Sequence, residues 1–268
     1  MCELFCLSSG QPTTVTFSLE RLARHGALGQ ANVDGWGLAF YDDRDVRLYK
    51  EPEPAGESAW LTYILGRDLE TGLAISHIRR ASQGALTHAN TQPFTRELAG
   101  RMHVFAHNGD LRGLPGLEPD ALEVFTPVGE TDSELAFCLL LESVAPLWLR
   151  PEPPSAEERL AVVTAFAEEM RARGEANFLY SDGELLFAHA HRRRPFDGVH
   201  GQPGLWRLDC GATMKTDTMA RHGVNIAAPS EARPITLVAS VPLTEDAWVP
   251  LKEAEIAVLQ AGRALPVS

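Results

Sequence analysis

The sequence predicts a layered α+β fold, and three observations lead to it. Short apolar strands cluster in the first third, two capped helices fill the middle, and strands return towards the C-terminus. The regular strand–helix alternation of a doubly wound parallel sheet is missing. No internal repeat, low-complexity segment or long linker interrupts the 268 residues, so the expectation is a single domain spanning residues 1–268.

Taken in order, residues 3–8 (ELFCLS) read as an apolar strand, and TFSLERLARHG as a helix stopped by Gly26. WGLAFY (Trp36 to Tyr41) and VRLYK (Val46 to Lys50) flank an acidic turn and suggest a hairpin. A Pro/Glu-rich connection then leads to a helix near 59–65. LAISHIR (Leu73 to Arg79) and MHVFAHNGDL read as strands that run into polar ends. Thr131 with Glu134, and Ser155 with Glu158, are capping-box patterns that open two helices. The second carries an apolar stripe of Leu160, Val163, Ala167 and Met170 and ends at Gly174. NFLYSDGELLFAHA is a hairpin about Asp182-Gly183, and LWRL and PITLVASV are further strands.

Composition narrows the function. A net charge of −12 leaves no room for a dominant basic face, which argues against nucleic-acid binding. Arg192-Arg193-Arg194 is too short to change that and reads as a solvated turn or a local anion contact. No run of eighteen apolar residues exists, and the N-terminus lacks the basic region of a signal peptide, so no membrane association and a cytoplasmic location are expected. Cys2, Cys6, Cys138 and Cys210 contain no CxxC pair, and neither a disulfide framework nor a metal site is expected. Cys138, in an apolar helix, reads as core.

Cys2 stands apart because removal of Met1 would put a free α-amine on the same residue as a thiol. A thiol of pKa ~8.5 needs a base to become a nucleophile, and an α-amine of pKa ~7.7–8.0 is a suitable one. Three stretches supply complementary chemistry. Arg79, in SHIRRASQG, can grip a carboxylate, or else form a surface ion pair. Asn108-Gly109, in AHNGDL, offers two oxyanion donors, or else makes a turn. Asp132, in GETDSEL, can receive an ammonium, or else simply complement a helix N-terminus. His77 and His107 read as packed or hydrogen-bonded strand histidines.

The motifs MCELF, DGWGLAFY, SHIRRAS, NTQPF, AHNGDL and ETDSE, in this order, resemble the class II glutamine amidotransferases of the N-terminal nucleophile hydrolase superfamily. The chain as a whole looks like the short stand-alone branch of that family. The resemblance implies a four-layer αββα sandwich with Cys2 as nucleophile and Asn108 and Gly109 as the oxyanion hole. Arg79 would hold the α-carboxylate of glutamine and Asp132 its α-amino group. Asn90, Gln92 and Phe94 would support the pocket. The larger enzymes of the family carry an aromatic residue and a threonine where this sequence has Arg80 and Ser82.

The implied reaction is hydrolysis of the glutamine side-chain amide through a γ-glutamyl thioester, without metal or organic cofactor. Ammonia would be released or passed to a partner protein. A second enzymatic reading is hydrolysis of another γ-glutamyl amide or peptide-like metabolite. A reading of another class is a catalytically silent scaffold, which would follow if Met1 stayed attached. No GxxxxGK[ST] phosphate loop is present, and a papain-like arrangement has no internal cysteine in the right context.

Overall fold

Alternation along the first strand divides the molecule into layers. In β1 (Glu3–Phe17), Leu4 and Cys6 join one apolar cluster while Phe5 and Leu7 join another. Successive side chains of a strand point to opposite faces, so β1 has a core on each side. The computed structural model describes residues 2–17, 34–67, 69–80, 84–114, 122–193, 202–210, 224–226 and 234–266.

The remaining strands, in chain order, are β2 (Gly35–Asp42), β3 (Asp45–Glu51), β4 (Glu70–Arg79), β5 (Phe94–Leu98), β6 (Arg101–Asn108), β7 (Asn177–Ser181) and β8 (Leu186–His189). They continue as β9 (Arg192–Arg193), β10 (Gln202–Pro203), β11 (Trp206–Cys210), β12 (Val224–Ile226), β13 (Ile235–Ala239), β14 (Val249–Pro250), β15 (Ile256–Gln260) and β16 (Arg263–Ala264). The helices are α1 (Ala59–Leu65), α2 (Asp132–Trp148) and α3 (Ala156–Arg173).

One antiparallel sheet runs β14–β11–β13–β1–β4–β2–β3, with β12 paired to the far end of β1. The other runs β16–β15–β8–β7–β6–β5 and is also antiparallel. Leu4, Cys6, Ala39 and Ile75 from the first sheet meet Val104, Ala106, Leu179 and Ala188 from the second. On the outer face of the first sheet, Trp36, Leu38 and Phe40 pack with Leu61 and Ile64 of α1. On the outer face of the second, Phe105, Phe178 and Phe187 pack against Phe137 of α2 and Phe166 of α3. The Phe105 and Phe137 rings stack at 5.4 Å, and Phe166 meets Phe178 edge-on at 5.5 Å. These three cores separate four layers, so the fold is an α+β sandwich of the αββα type.

The expected hairpins, α1, and both long helices are present. Two readings are corrected. The segment expected to be helical from Thr16 begins inside β1, where Thr16 pairs with Asn225 and Phe17 with Val224. Its β-branched and aromatic run TTVTF favours a strand, and residues 18–26 lie outside the described set. Arg192 and Arg193, read as a turn or anion contact, form β9 and pair with β10, while Arg194 lies outside the described residues. The α3 capping box forms in both directions, Glu158 N–H to Ser155 Oγ at 3.2 Å and Ser155 N–H to Glu158 Oε2 at 2.8 Å.

The cores hold His77, His103 and His189, each brought down to about 3, chiefly by burial. An unfolded histidine titrates near 6.5, so between ~pH 6 and ~4 the unfolded chain binds protons that the folded chain refuses. Their contribution to stability is therefore present above ~6.5 and is lost as the pH falls. Each histidine should add a slope of about 1.4 kcal/mol per pH unit in that interval. Urea midpoints measured from pH 7 to pH 4 are expected to fall, and His103→Phe should flatten the dependence.

Candidate active site

Antiparallel pairing gathers the sequence-predicted groups at one end of the sandwich. β1 and β4 pair with Glu3 opposite Ile78, and β2 pairs with β4 with Gly35 opposite Arg79. Residue 2, the end of β4 and the start of β2 therefore share an edge of the first sheet. β6 of the second sheet ends at Asn108 on the same edge. Its side-chain Nδ2 donates to the Cys2 carbonyl at 2.7 Å. This bond joins the two sheets at the predicted nucleophile.

Cys2 is partly buried. Its thiol donates to the Arg80 carbonyl at 3.5 Å, and its Sγ accepts the Arg80 N–H at 3.3 Å. Burial pushes the thiol up from its ordinary value, and the Arg80 N–H partly offsets this. A thiol so placed rests protonated at neutral pH, and attack requires a base at hand. Both contacts from Arg80 come from the backbone. Any residue type but proline at position 80 could make them, so the missing aromatic residue does not loosen the thiol. Ser82 lies outside the described residues.

Asn108 is fixed from both sides. Its carbonyl accepts Asn177 Nδ2 at 3.3 Å, and the same Nδ2 donates to the Arg192 carbonyl at 3.0 Å. Asn177 Oδ1 accepts the His191 N–H at 2.7 Å. Gly109 is required sterically, because a Cβ there would fall inside the contact distance of the Glu175 carbonyl. Gly37 meets the same limit against the Gln92 carbonyl.

β5 pairs with β6 only as far as Phe105, which leaves the edge of β6 open at His107. Gln92 completes it: its Oε1 accepts the His107 N–H at 2.6 Å and its Nε2 donates to the His107 carbonyl at 3.1 Å. A side-chain amide thus replaces a strand neighbour beside Asn108. The Gln92–Pro93 bond is cis.

Arg79 is buried, and its guanidinium donates to the carbonyls of Ala85 (3.1 Å) and Gly84 (3.3 Å). Asn90 Nδ2 donates to that Ala85 carbonyl at 3.1 Å, while Asn90 Oδ1 accepts the Glu130 N–H at 2.8 Å. Asn90 therefore connects the loop around Arg79 to the loop that opens α2. Asp132 is the first residue of α2, where a carboxylate complements the helix N-terminus. Its Oδ1 accepts the Ser133 N–H and its Oδ2 accepts the Leu111 N–H, both at 2.8 Å.

The capping box expected at Thr131 forms in one direction only. Glu134 N–H donates to Thr131 Oγ1 at 3.2 Å. The Glu134 carboxylate instead accepts the Gly129 and Val128 N–H groups at 2.6 and 3.1 Å and pairs with Arg96 at 2.6 Å. A buried carboxylate needs such compensation, and here it shapes the loop in front of Asp132. Sequence reasoning missed Asn177, Ser133, Glu175 and this use of Glu134. None carries a local signal: Asn177 reaches a carbonyl 69 residues away, Ser133 and Glu175 meet the His107 ring 26 and 68 residues away, and Glu134 pairs with Arg96 38 residues away.

Cys2, Arg79 and Asn108 thus lie at one edge, with Cys2 hydrogen-bonded to Asn108, while Asn90 joins the loop at Ala85 that holds Arg79 to the loop at Glu130 that precedes Asp132. Among the described residues no cluster has the composition of a metal site, and no helix is long and apolar enough to cross a membrane.

The αββα fold is of the N-terminal nucleophile hydrolase type, and comparison with known proteins gives the family. The family described as class II glutamine amidotransferases matches residues 1–268. YafJ of Escherichia coli, provisionally named a glutamine amidotransferase, is 34% identical over 252 residues, covering 92% of this chain and 93% of its own. A crystal structure from Pseudomonas aeruginosa, described as a predicted glutamine amidotransferase, superposes with a TM-score of 0.74 at 31% identity, covering 99% of this chain and all of that one. The glutamine phosphoribosylpyrophosphate amidotransferase of Bacillus subtilis shares the fold at 14% identity and a TM-score of 0.56, with 98% of this chain matching 48% of that one. The chain belongs to the class II glutamine amidotransferases.

Proposed function

We propose that this protein hydrolyses the side-chain amide of glutamine to glutamate and ammonia, using Cys2 as the nucleophile within one domain spanning residues 1–268. The observation that best supports this reading is the 2.7 Å bond from Asn108 Nδ2 to the Cys2 carbonyl, which ties the candidate oxyanion donor to the residue that bears the thiol. An Asn amide has two N–H groups, so one remains for the substrate after the first is used.

The steps balance as follows. With Met1 removed, the α-amine of Cys2 takes the thiol proton while Sγ attacks the amide carbon. Charge builds on the amide oxygen, where Asn108 Nδ2 and the Gly109 N–H stabilise it. The ammonium returns its proton to the departing nitrogen, the C–N bond breaks, and a γ-glutamyl thioester remains. Water then attacks the thioester while the α-amine takes its proton; the C–S bond breaks, the sulfur receives that proton to become the thiol again, and glutamate leaves. Arg79 holds the α-carboxylate and Asp132 the α-ammonium, which fixes the reacting carbon at the thiol. Released ammonia passes to solvent or to an accepting partner.

Steady-state glutamate release from glutamine and from γ-glutamyl dipeptides tests the substrate. The expected result is a kcat/KM for glutamine at least about tenfold higher, a difference of ~1.4 kcal/mol in transition-state binding. A preference for the dipeptides would reassign the substrate, and no release from either would overturn the reading.

A further inference from the structure

One buried chain of hydrogen bonds is not used by the mechanism, and it ends on the carboxylate assigned to the substrate ammonium. His107 Nε2 lies 3.0 Å from the Glu175 carbonyl, and His107 Nδ1 lies 2.9 Å from Ser133 Oγ. Ser133 Oγ is also 3.3 Å from Asp132 Oδ1. The His107 ring stacks on Phe105 at 6.5 Å and is buried, as is Ser133.

The chemistry of the partners sets the direction of each bond. A backbone carbonyl only accepts, so the bond to Glu175 requires the proton on Nε2. In a neutral imidazole Nδ1 is then an acceptor, and the Ser133 hydroxyl must donate to it. A hydroxyl has one proton. Given to His107 at 2.9 Å, it is not given to Asp132 at 3.3 Å. Burial lowers His107 below the ordinary histidine range, against the opposing pull of Asp132, the Glu175 carbonyl, Asp110 and Glu175, and so favours the neutral ring this requires.

We propose that His107 is a positioning residue for substrate binding: it holds the Ser133 hydroxyl away from Asp132, so that Oδ1, which already accepts the Ser133 N–H, keeps its second lone pair for the substrate's α-ammonium. The proposal rests on the reading of Asp132 as the ammonium site. It deepens that reading by naming what keeps the carboxylate available. Without an acceptor at Nδ1, the hydroxyl turns to Asp132 Oδ1, and each substrate molecule must displace an internal hydrogen bond before it binds.

The test is a double-mutant cycle on His107→Phe and Ser133→Ala with glutamine as substrate. Phenylalanine at 107 keeps a ring against Phe105 and removes the Nδ1 acceptor, while the loss of the Glu175 bond costs stability equally in both backgrounds and cancels in the cycle. H107F is expected to raise KM roughly tenfold with kcat within about twofold, the size of one hydrogen bond competed away. In the S133A background the same substitution should leave KM unchanged, because no hydroxyl remains to turn. A merely structural role for His107 would cost the same in both backgrounds, and that result would overturn the proposal, as would a fall in kcat at constant KM. A second readout does not depend on turnover. The ¹⁵N shifts of His107 at pH 7 should show a protonated Nε2 and an unprotonated Nδ1. The opposite tautomer overturns the proposal even in an active enzyme. If the wild-type protein releases no glutamate at all, the reading of the site fails, and the tautomer still decides the direction of the hydrogen bonds.

Discussion

Cys2→Ala is expected to remove amide hydrolysis, lowering kcat by roughly a millionfold, the scale on which loss of a covalent nucleophile is felt in other hydrolases. Alanine keeps the α-amine and removes only the sulfur. The thiol makes two weak hydrogen bonds to the Arg80 backbone, so the fold should tolerate the change and thermal unfolding should move by no more than a few degrees. Glutamine binding should survive, because Arg79 and Asp132 do not depend on the sulfur. Isothermal titration of C2A with glutamine against single-turnover assays separates the two effects. Retained turnover in well-folded C2A would remove Cys2 from the mechanism.

Asn108→Ala carries the second large effect. Loss of one oxyanion donor costs about 10²–10³ in kcat, or ~2.7–4 kcal/mol. Here the same amide also donates to the Cys2 carbonyl at 2.7 Å, so its loss frees the nucleophile's backbone as well as the oxyanion. A fall in kcat of at least about a hundredfold is expected, with a much smaller change in KM, since the ground-state amide is held at its other end. A variant that raised KM alone would place Asn108 in substrate binding rather than transition-state stabilisation. Gly109→Ala should be at least as damaging, but its cause would be steric, from the clash with the Glu175 carbonyl.

Much of this was legible in the sequence, for identifiable reasons. α1 falls at 59–65 as expected, with Ser58 as its cap, because an apolar helical run follows a proline-rich stop. The ends of β4 and β6 were recognisable because apolar runs give way abruptly to Arg79 and Asn108. The hairpins β5–β6 and β15–β16 were not recognised. Both turn through Ala-Gly, with Ala99 at φ 54° and Ala261 at φ 46°, positions where Asn or Asp would have announced the turn. Alanine tolerates that region at some cost, and neither turn carries the usual signal.

At the site, residue identities could be read and their connections could not. In the sequence, the resemblance gives Asn90 and Gln92 only a supporting place near the pocket. Their function is to replace backbone partners: Gln92 completes the edge of β6, and Asn90 joins the loops around Arg79 and Asp132. Glu134 fitted a capping-box pattern, but the box is local and the loop at 128–129, with Arg96, captured its carboxylate instead. Such choices depend on what tertiary structure brings near, and no spacing along the chain encodes them. His107 was legible as a hydrogen-bonded strand histidine, yet its partners lie 26 and 68 residues away.

The central claim is that Cys2, bearing a free α-amine, attacks a γ-glutamyl amide held by Arg79 and Asp132. Intact-mass and peptide mass spectrometry after treatment with a glutamine analogue, one carrying an electrophilic ketone in place of the side-chain amide, tests it most directly. The account predicts one adduct per chain, on a peptide that begins at Cys2 without Met1, blocked by excess glutamine. An adduct on any other residue, or active protein that retains Met1, would contradict it.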